Sequence, residues 1–255
     1  MTAPSSRYSH HLLDLDAELA GELDLGARAA ARLAATAVSF WLEPQIDCSR
    51  ARAAAVGGPG LLVLSGALVG HARVLDRVAA ELLGHGDLIQ PEGDEDRDEF
   101  IRCDVSWRAL QPVRFAFLDA EFAERIRPWP QITHALLGRV KRRVENLAVQ
   151  RAIAAQPRLE VRLLLLLWHL GARWGKVRPG GIRLAVPLTH LLLGQLVGAE
   201  RPSVTHALGR LGAAGAVSGA QHGWHLRGCL AEHLSAIGAG EALGHIPRSV
   251  PTRHA

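Results

Sequence analysis

The chain has 255 residues, of which 48% are hydrophobic and 21% are charged, a composition typical of globular proteins and not of disordered ones. Its formal net charge of +4 is unevenly divided, with −7 over residues 1–129, +4 over residues 130–156 and +7 over residues 157–255. The basic C-terminal part predicts contact with a polyanion, and the acidic part predicts a different role.

Three widely spaced cysteines, Cys48, Cys103 and Cys229, fit neither a disulfide framework nor the ligand spacing of a zinc or iron–sulfur site. The N-terminus has no basic start followed by an apolar run, and the longest apolar stretch, residues 163–170, is too short to span a bilayer. We therefore expect a protein of the reducing cytoplasm, with neither a metal site nor a membrane contact.

The first 129 residues predict a β-rich domain. Residues 1–25 are polar and acidic and are expected to form a loosely ordered arm, and residues 25–42 have the apolar spacing of a helix. From residue 60 onwards, short apolar runs alternate with glycine-containing breaks, which favours a sandwich or barrel. A short helix capped by Asp119 closes this part. The predicted strands are residues 61–64, 67–74, 78–83, 103–110 and 113–118.

Residues 130–156 predict one long helix. Its apolar positions recur every three or four residues and form a narrow stripe, which is typical of a seam between two helices. Packing of the same stripe against the helix's own domain is the alternative. The residues of the stripe are Ile132, Leu136, Val140, Val144 and Leu147.

Residues 157–229 predict a winged helix. An apolar, buried helix at residues 159–173 is followed by a hairpin at residues 176–186. Residues 188–211 form two short helices around a tight turn at Gly198, and residues 216–226 form a second hairpin. By itself, helix–glycine–helix could equally be an ordinary helical hairpin, but the flanking hairpins favour the winged helix.

The second helix of this pair presents a basic and polar face. Apolar residues from Val204 to Leu211 recur at helical spacing and leave the other side free of the core. Such a helix can enter the major groove of DNA, and proteins of this kind usually read two half-sites as symmetric dimers. The pattern therefore predicts a homodimer that binds double-stranded DNA. The residues expected on the free face are Arg201, Ser203, Thr205, His206 and Arg210.

The order of these parts resembles the Crp/Fnr family of bacterial transcription regulators. The resemblance is specific over residues 156–228, where Thr189, Gly194-Gln195, Val197-Gly198, Arg201 and Ser203-Val204 stand where the family pattern has them, and fainter over residues 60–119. It implies an α+β chain and RNA polymerase as a candidate partner. The implied parts are an N-terminal arm (1–25), a β-roll sensor domain of the cyclic-nucleotide-binding type (26–129), a dimerisation helix (130–156), a winged helix-turn-helix domain (157–229) and a C-terminal tail (230–255).

The resemblance also implies roles in DNA recognition. Arg201 and His206 match positions that face base edges, and an arginine there can bond guanine O6 and N7 together. Ser203 and Thr189 match positions suited to phosphate contacts. Pro202 departs from the family pattern, in which a glutamate is frequent, so the operator is expected to differ from that of members with the glutamate.

The sensor region departs further from the family. Members that bind cyclic nucleotides have a helix starting Gly-Glu-Leu and an Arg-Ser/Thr-Ala turn for the phosphate, and residues 89–107 contain neither. Residues 92–99 hold six acids and one arginine, a poor cradle for an anion. The sequence therefore argues against cyclic AMP, although Arg97 or Arg102 could substitute. The cysteine spacing argues against an iron–sulfur cluster, haem ligation by a histidine stays open, and the effector is unknown.

Two other functions fit the sequence less well than an effector-controlled DNA-binding regulator, and a third fits it equally well. An enzyme is disfavoured because the chain lacks a glycine-rich phosphate loop, a Gly-x-Ser-x-Gly elbow and a His-Glu-x-x-His pair. A winged helix devoted to protein contacts is disfavoured by the cations on its second helix. A DNA-binding dimer without a small-molecule effector is as compatible with the sequence as an effector-controlled one.

Overall fold

The computed structural model describes residues 8–48, 51–52, 55, 57–91, 100–220 and 223–239. The chain divides into two compact units, Met1–Leu147 and Ala148–Ala255. The first contains two antiparallel sheets with helices, and the second contains helices with one antiparallel sheet. The predicted α+β class, with an N-terminal β domain, a long helix and a C-terminal helix-turn-helix, is confirmed.

The N-terminal residues belong to the fold of the first unit. Strand β1 pairs antiparallel with β2, from Tyr8 opposite Ser39 to His11 opposite Thr36. The expectation of a loose arm is wrong for residues 8–25, because Leu12 and Leu19, which lie among the acids, are fully buried in the core. The elements here are β1 (Tyr8–His11), α1 (Leu12–Leu15), a 3₁₀ helix (Ala17–Ala20), α2 (Leu25–Ala34) and β2 (Thr36–Leu42).

The helix expected over residues 25–42 ends at Ala34, and the second half of the segment is strand β2. This half is rich in β-branched and aromatic residues, which favour a pleated, half-buried surface over a helix. Residues 36–39 of β2 pair with β1 and residues 38–42 pair with β8, so every residue of the strand is paired on at least one side.

Two sheets form the β domain. The strand order is β1-β2-β8-β3-β6 in the five-stranded sheet and β5-β4-β7 in the three-stranded one. All five predicted strands are present, and β1, β2 and β6 are additional ones. The remaining elements are β3 (Gly60–Ser65), β4 (Ala67–Val74), β5 (Arg77–Gly84), β6 (Leu88–Ile89), β7 (Asp104–Ala109), β8 (Val113–Leu118) and α3 (Ala120–Ile126).

The five-stranded sheet has a core on each face. On one face, Leu61 and Phe115 pack with Leu68 and Leu83 of the three-stranded sheet. On the other face, residues of β3 and β8 pack with helices α1 to α3 and with the start of the long helix. Asp119 caps α3 as predicted, since its carboxylate accepts a hydrogen bond from the Phe122 amide at 2.8 Å.

A tryptophan fills part of the space beside the three-stranded sheet. Trp107 of β7 lies opposite Gly70 of β4, and a Cβ atom at Gly70 would stand 2.3 Å from the indole ring. The guanidinium groups of Arg143 and Arg52 lie 4.9 and 5.7 Å from the ring centroid. Arg143 also pairs with Glu81 of β5 at 2.5 Å. Side chains of the chain itself therefore occupy this side of the sheet.

The long helix α4 (Pro130–Ala154) confirms the predicted helix, but the predicted stripe divides between two roles. Ile132 and Leu136 are buried in the core of their own domain and so cannot contact a second subunit, which corrects their assignment to the seam. Val140 packs partly against that core, whereas Val144 is 60% exposed and Leu147 is 40% exposed.

A buried ion pair fixes α4 to the N-terminal segment. Arg139, only 4% exposed, donates hydrogen bonds at 2.7 Å to both carboxylate oxygens of Asp16. Glu18 lies 3.0 Å from the same guanidinium, which is therefore neutralised inside the domain.

The second unit has the predicted order of helix, hairpin, helix pair and hairpin. Its sheet has the strand order β11-β12-β10-β9. The elements are α5 (Leu159–Trp174), β9 (Lys176–Arg178), β10 (Gly181–Leu184), α6 (His190–Val197), α7 (Arg201–Ala213), β11 (Val217–Ala220), β12 (Gly223–Arg227) and α8 (Leu230–Ala236).

Part of the predicted C-terminal tail is helical. Helix α8 buries Leu234, and the His233 ring lies edge-on to Trp168 of α5 with the ring centroids 5.7 Å apart. The predicted tail therefore begins with an ordered helix, and residues 240–255 lie outside the described residues. Within the described ranges, no helix is both long and apolar enough to cross a membrane.

Candidate nucleic-acid interface

The turn between α6 and α7 depends on two glycines. Gly198 ends α6 in the left-handed region with φ of 68°, a conformation that costs other residues free energy. The Ala199 amide then donates to the Gly194 carbonyl at 2.9 Å, and a Cβ at Gly194 would stand 2.4 Å from the Ala199 carbonyl oxygen. The turn therefore favours glycine at both positions, at Gly198 because of its left-handed backbone and at Gly194 because the Ala199 carbonyl approaches so closely.

The start of α6 is held by Thr189. Its hydroxyl accepts a hydrogen bond from the Leu192 amide at 3.2 Å, as expected of a helix N-cap. Thr189 is exposed, so the same hydroxyl is accessible to a phosphate. Thr189 therefore caps α6, and its proposed contact with DNA would use the same hydroxyl.

Helix α7 has a buried side and a free side. Pro202 lies in its first turn, where no intrahelical hydrogen bond is lost. The apolar residues predicted to face the core are all buried: Val204, Ala207, Leu208 and Leu211. Four of the predicted DNA-contacting residues are exposed along the other side: Arg201, Ser203, Thr205 and His206.

Thr205 connects the two helices. Its hydroxyl donates to the Arg201 carbonyl at 3.1 Å, and a 2.8 Å hydrogen bond joins it to His190 Nδ1 at the start of α6. The His190 ring lies 6.2 Å from that of Trp224, whose indole N–H donates to the Leu188 carbonyl. His190 was not predicted from the sequence as part of the interface. The one sequence feature that could have indicated this role is the position of His190 directly after Thr189, at the start of α6.

Arg210 is engaged within the domain. Its guanidinium pairs with Oε1 of Glu160 on α5, with Nε at 2.7 Å and Nη2 in closer contact. Burial alone would raise the pKa of Glu160, but hydrogen bonds from its own backbone amide and from Arg210 hold that pKa below its ordinary value. Arg210 thus links α5 to α7, a role that the exposed helical position did not indicate.

The helix behind the interface carries a half-buried histidine. Desolvation lowers the pKa of His169 on α5, and repulsion from Arg173 lowers it further. Among the described residues, no group of three or more His, Cys, Asp or Glu is placed to hold a metal ion.

Most of the described C-terminal unit matches a known domain family. Residues 161–234 match the family model of the Crp-like helix-turn-helix domain. No curated protein matches the chain by sequence.

Solved structures of bacterial regulators share the fold. A mutant of CooA from Carboxydothermus hydrogenoformans has a TM-score of 0.58 at 15% identity, covering 89% of this chain and 95% of CooA. For the c-di-GMP responsive global regulator CLP of Xanthomonas campestris the values are 0.56 and 18%, with 80% and 100% coverage. A CRP-family transcriptional regulator from Thermus thermophilus gives 0.55 and 14%, with 78% and 96% coverage. The resemblance to Crp/Fnr regulators is thereby confirmed at the level of the fold and of the helix-turn-helix domain.

Proposed function

We propose that this chain, which carries a Crp-like helix-turn-helix domain on a Crp/Fnr-type fold, is a sequence-specific DNA-binding transcription regulator. The observation that carries the proposal is the division of α7 into a side locked in the core and a side that exposes Arg201, Ser203, Thr205 and His206. A helix held in this way can lie in the major groove with its first turns against base edges.

Each exposed side chain suits a different contact. Arg201 can donate two hydrogen bonds to guanine O6 and N7, and His206 offers one donor or acceptor to a base. The hydroxyls of Ser203 and Thr189 suit phosphate oxygens, which position the helix without specifying sequence. Thr205 is engaged with the Arg201 carbonyl and with His190, so we propose that it orients the start of α7.

We propose that the active form is a homodimer with a seam along α4. Leu137, Val144 and Leu147 are exposed, and together with half-buried Val140 they recur in steps of three, four and three residues. This is the a/d spacing of a two-helix seam. Exposed apolar side chains at that spacing favour burial against a second copy, which would present two α7 helices to a two-fold symmetric operator.

We propose that any effector of the first unit is something other than cyclic AMP. Trp107 fills the space beside β4, and Arg143 and Arg52 cover its ring. Arg102, which could have gripped a phosphate, is exposed and pairs with Asp104 at 3.2 Å. Arg97 and the acidic stretch 92–99 lie outside the described residues.

The proposal is tested by capturing genomic DNA on the full-length protein, followed by footprinting of the enriched fragments. We expect a protected site with two-fold symmetry and half-sites about 10 base pairs apart, or a multiple of that spacing. Failure to protect any symmetric site at low ionic strength and ample protein would contradict the proposal. When a variant of α7 that lacks a positive charge is compared with the parent protein, Arg77→Ala on the β4–β5 hairpin is the control for the loss of charge.

A further inference from the structure

One face of the three-stranded sheet carries a cluster of side chains that contacts α4. Gly70 of β4 lies directly opposite both Glu81 of β5 and Trp107 of β7, so the three residues share this face. Gly70 has no side chain, and the Trp107 ring fills the space above it. The guanidinium carbon of Arg143 on α4 lies 4.9 Å from the centroid of that ring. We call Glu81, Trp107 and Arg143 the sheet–helix cluster.

The ion pair of this cluster is shielded from water. Two nitrogens of Arg143 donate to Oε1 of Glu81, Nε at 3.0 Å and Nη2 at 2.5 Å. The Arg143 side chain is 21% exposed and that of Glu81 is 13% exposed. Such a pair is screened little by salt, and breaking it is costly because each charge would stay partly desolvated. The contact of α4 with the sheet is therefore stronger than a surface salt bridge.

The cluster fixes the rotation of α4 about its own axis. Arg139 precedes Arg143 by four residues, so the two arginines lie on the same side of the helix, one turn apart. Asp16 holds Arg139, and Glu81 holds Arg143. Val144 follows Arg143 directly and is 60% exposed. The two inward-facing arginines therefore determine the direction in which this residue of the proposed seam points.

We propose that the sheet–helix cluster, with Arg143 as its positioning residue, holds α4 in the DNA-binding arrangement in place of a small-molecule effector. This inference rests on the proposed function, because it concerns how two α7 helices are kept at the spacing of two half-sites. An effector acts by binding one arrangement of a regulator more tightly than another. Side chains of the chain itself that favour one arrangement have the same effect permanently. The protein should therefore bind its operator without an added small molecule.

Two buried donors beside the cluster define the alternative. Trp107 Nε1 and Arg52 Nη1 have no hydrogen-bond partner within the described part of the chain. A tightly held small molecule with an acceptor atom would satisfy them, and that molecule would then fix α4. The first experiment distinguishes the two cases.

This experiment compares the full-length protein before and after removal of small molecules. Native mass spectrometry gives the subunit mass as isolated, and the protein is then unfolded in denaturant, dialysed and refolded. We expect the subunit mass of the polypeptide alone and the same operator affinity before and after. A refolded protein that regains its circular dichroism but not its operator binding would overturn the inference. A protein that binds no operator even as isolated would contradict the proposed function itself.

The second experiment breaks the cluster from either side. The variants are Glu81→Gln, Arg143→Gln and the two together. The matched controls are Asp14→Asn and Arg32→Gln, which break another arginine–carboxylate pair of the first unit. Affinity is measured for the two-fold symmetric operator and for a duplex with a single half-site, and thermal unfolding is followed in parallel.

We expect each cluster variant to bind the symmetric operator about 5- to 150-fold more weakly, the range of coupling between separate sites. Binding of the half-site should stay as in the parent protein, because a single α7 is unaffected. The double variant should lose no more than either single one, since the two residues act through one contact. The controls should match the parent on both duplexes. A lower unfolding midpoint with an unchanged preference for the symmetric operator would overturn the inference, as would equal losses on both duplexes, and both results would leave the proposed function standing.

Discussion

Arg210 on α7 donates from Nε and Nη2 to a single carboxylate oxygen of Glu160 on α5. The arginine is largely exposed whereas the Glu160 side chain is only 15% exposed, so the pair is partly shielded from water. It connects the proposed recognition helix to the helix behind it.

We expect Arg210→Ala to lower the free energy of unfolding by about 1 kcal/mol, the upper range for exposed ion pairs. Operator affinity should change little, because Glu160 already engages the guanidinium. Chemical denaturation and operator titration measure the two effects. Glu160→Gln is the matched variant, and by releasing Arg210 it should strengthen DNA binding at low salt. A loss of affinity in Arg210→Ala as large as in Arg201→Ala would show that Arg210 contacts DNA.

Removing the Arg201 side chain should weaken binding to the operator more than binding to random DNA. We expect Arg201→Ala to weaken operator binding by about 1–3 kcal/mol, the range for a lost bidentate contact to guanine. Binding to random duplex of equal length should fall much less. Competition titrations measure the difference, with Arg77→Ala as control. Equal losses on operator and random DNA would assign Arg201 to the phosphates.

Substitutions at two adjacent leucines of α4 should distinguish an effect on dimer formation from an effect on folding. Leu137 is 62% exposed and Leu136 is buried. Leu137→Asp should give a folded monomer, because it places a charge in the proposed seam. Leu136→Asp should unfold the first unit, because it buries a charge in the core. Sedimentation and circular dichroism distinguish the outcomes, and a dimer that survives Leu137→Asp and Val144→Asp together would rule out this seam.

Gly70 and Trp107 should be energetically coupled. A methyl group at Gly70 would lie 2.3 Å from the indole, so Gly70→Ala is expected to lower the free energy of unfolding by about 1–3 kcal/mol. Trp107→Leu removes the ring and leaves room for that methyl group. A double-mutant cycle should therefore give a loss for the pair that is smaller than the sum of the single losses. Simple additivity would show that the domain relaxes around the new methyl group.

Stability should fall in mild acid because of His169. The pKa of His169 in the folded chain is below its ordinary value of 6.5, so the unfolded chain binds the proton more readily. The stabilisation is fully present above about pH 6.5 and is lost as pH falls toward the folded pKa. His169→Gln should flatten this loss below about pH 6.5 in thermal unfolding, and exposed His134→Gln is the control. Parallel curves for both variants would contradict the assignment.

Periodicity predicts most elements because burial on one side determines them. The five predicted strands, the long helix and the helix–glycine–helix motif all follow from apolar spacing and from glycine. The same spacing cannot distinguish burial within a subunit from burial between subunits. Ile132 and Leu136 therefore look like Val144 in the sequence, although only Val144 is exposed.

Most of the wrong predictions concern residues that are held by contacts with residues far away in the sequence. Residues 8–25 are polar overall, and they are ordered by pairing with β2 and by the Asp16–Arg139 contact, which spans more than a hundred residues. The exposed helical position of Arg210 predicts a DNA contact, but its partner Glu160 lies 50 positions away. Neither relationship leaves a local signal.

The Asp16–Arg139 pair also limits how the chain can be shortened. Deleting the first 25 residues, which look dispensable by composition, would remove both acids, Asp16 and Glu18, from a guanidinium that is 4% exposed in the folded domain. An orphaned buried charge of this kind destabilises a protein by roughly 3–5 kcal/mol. Versions trimmed before residue 26 should therefore be recovered as aggregates.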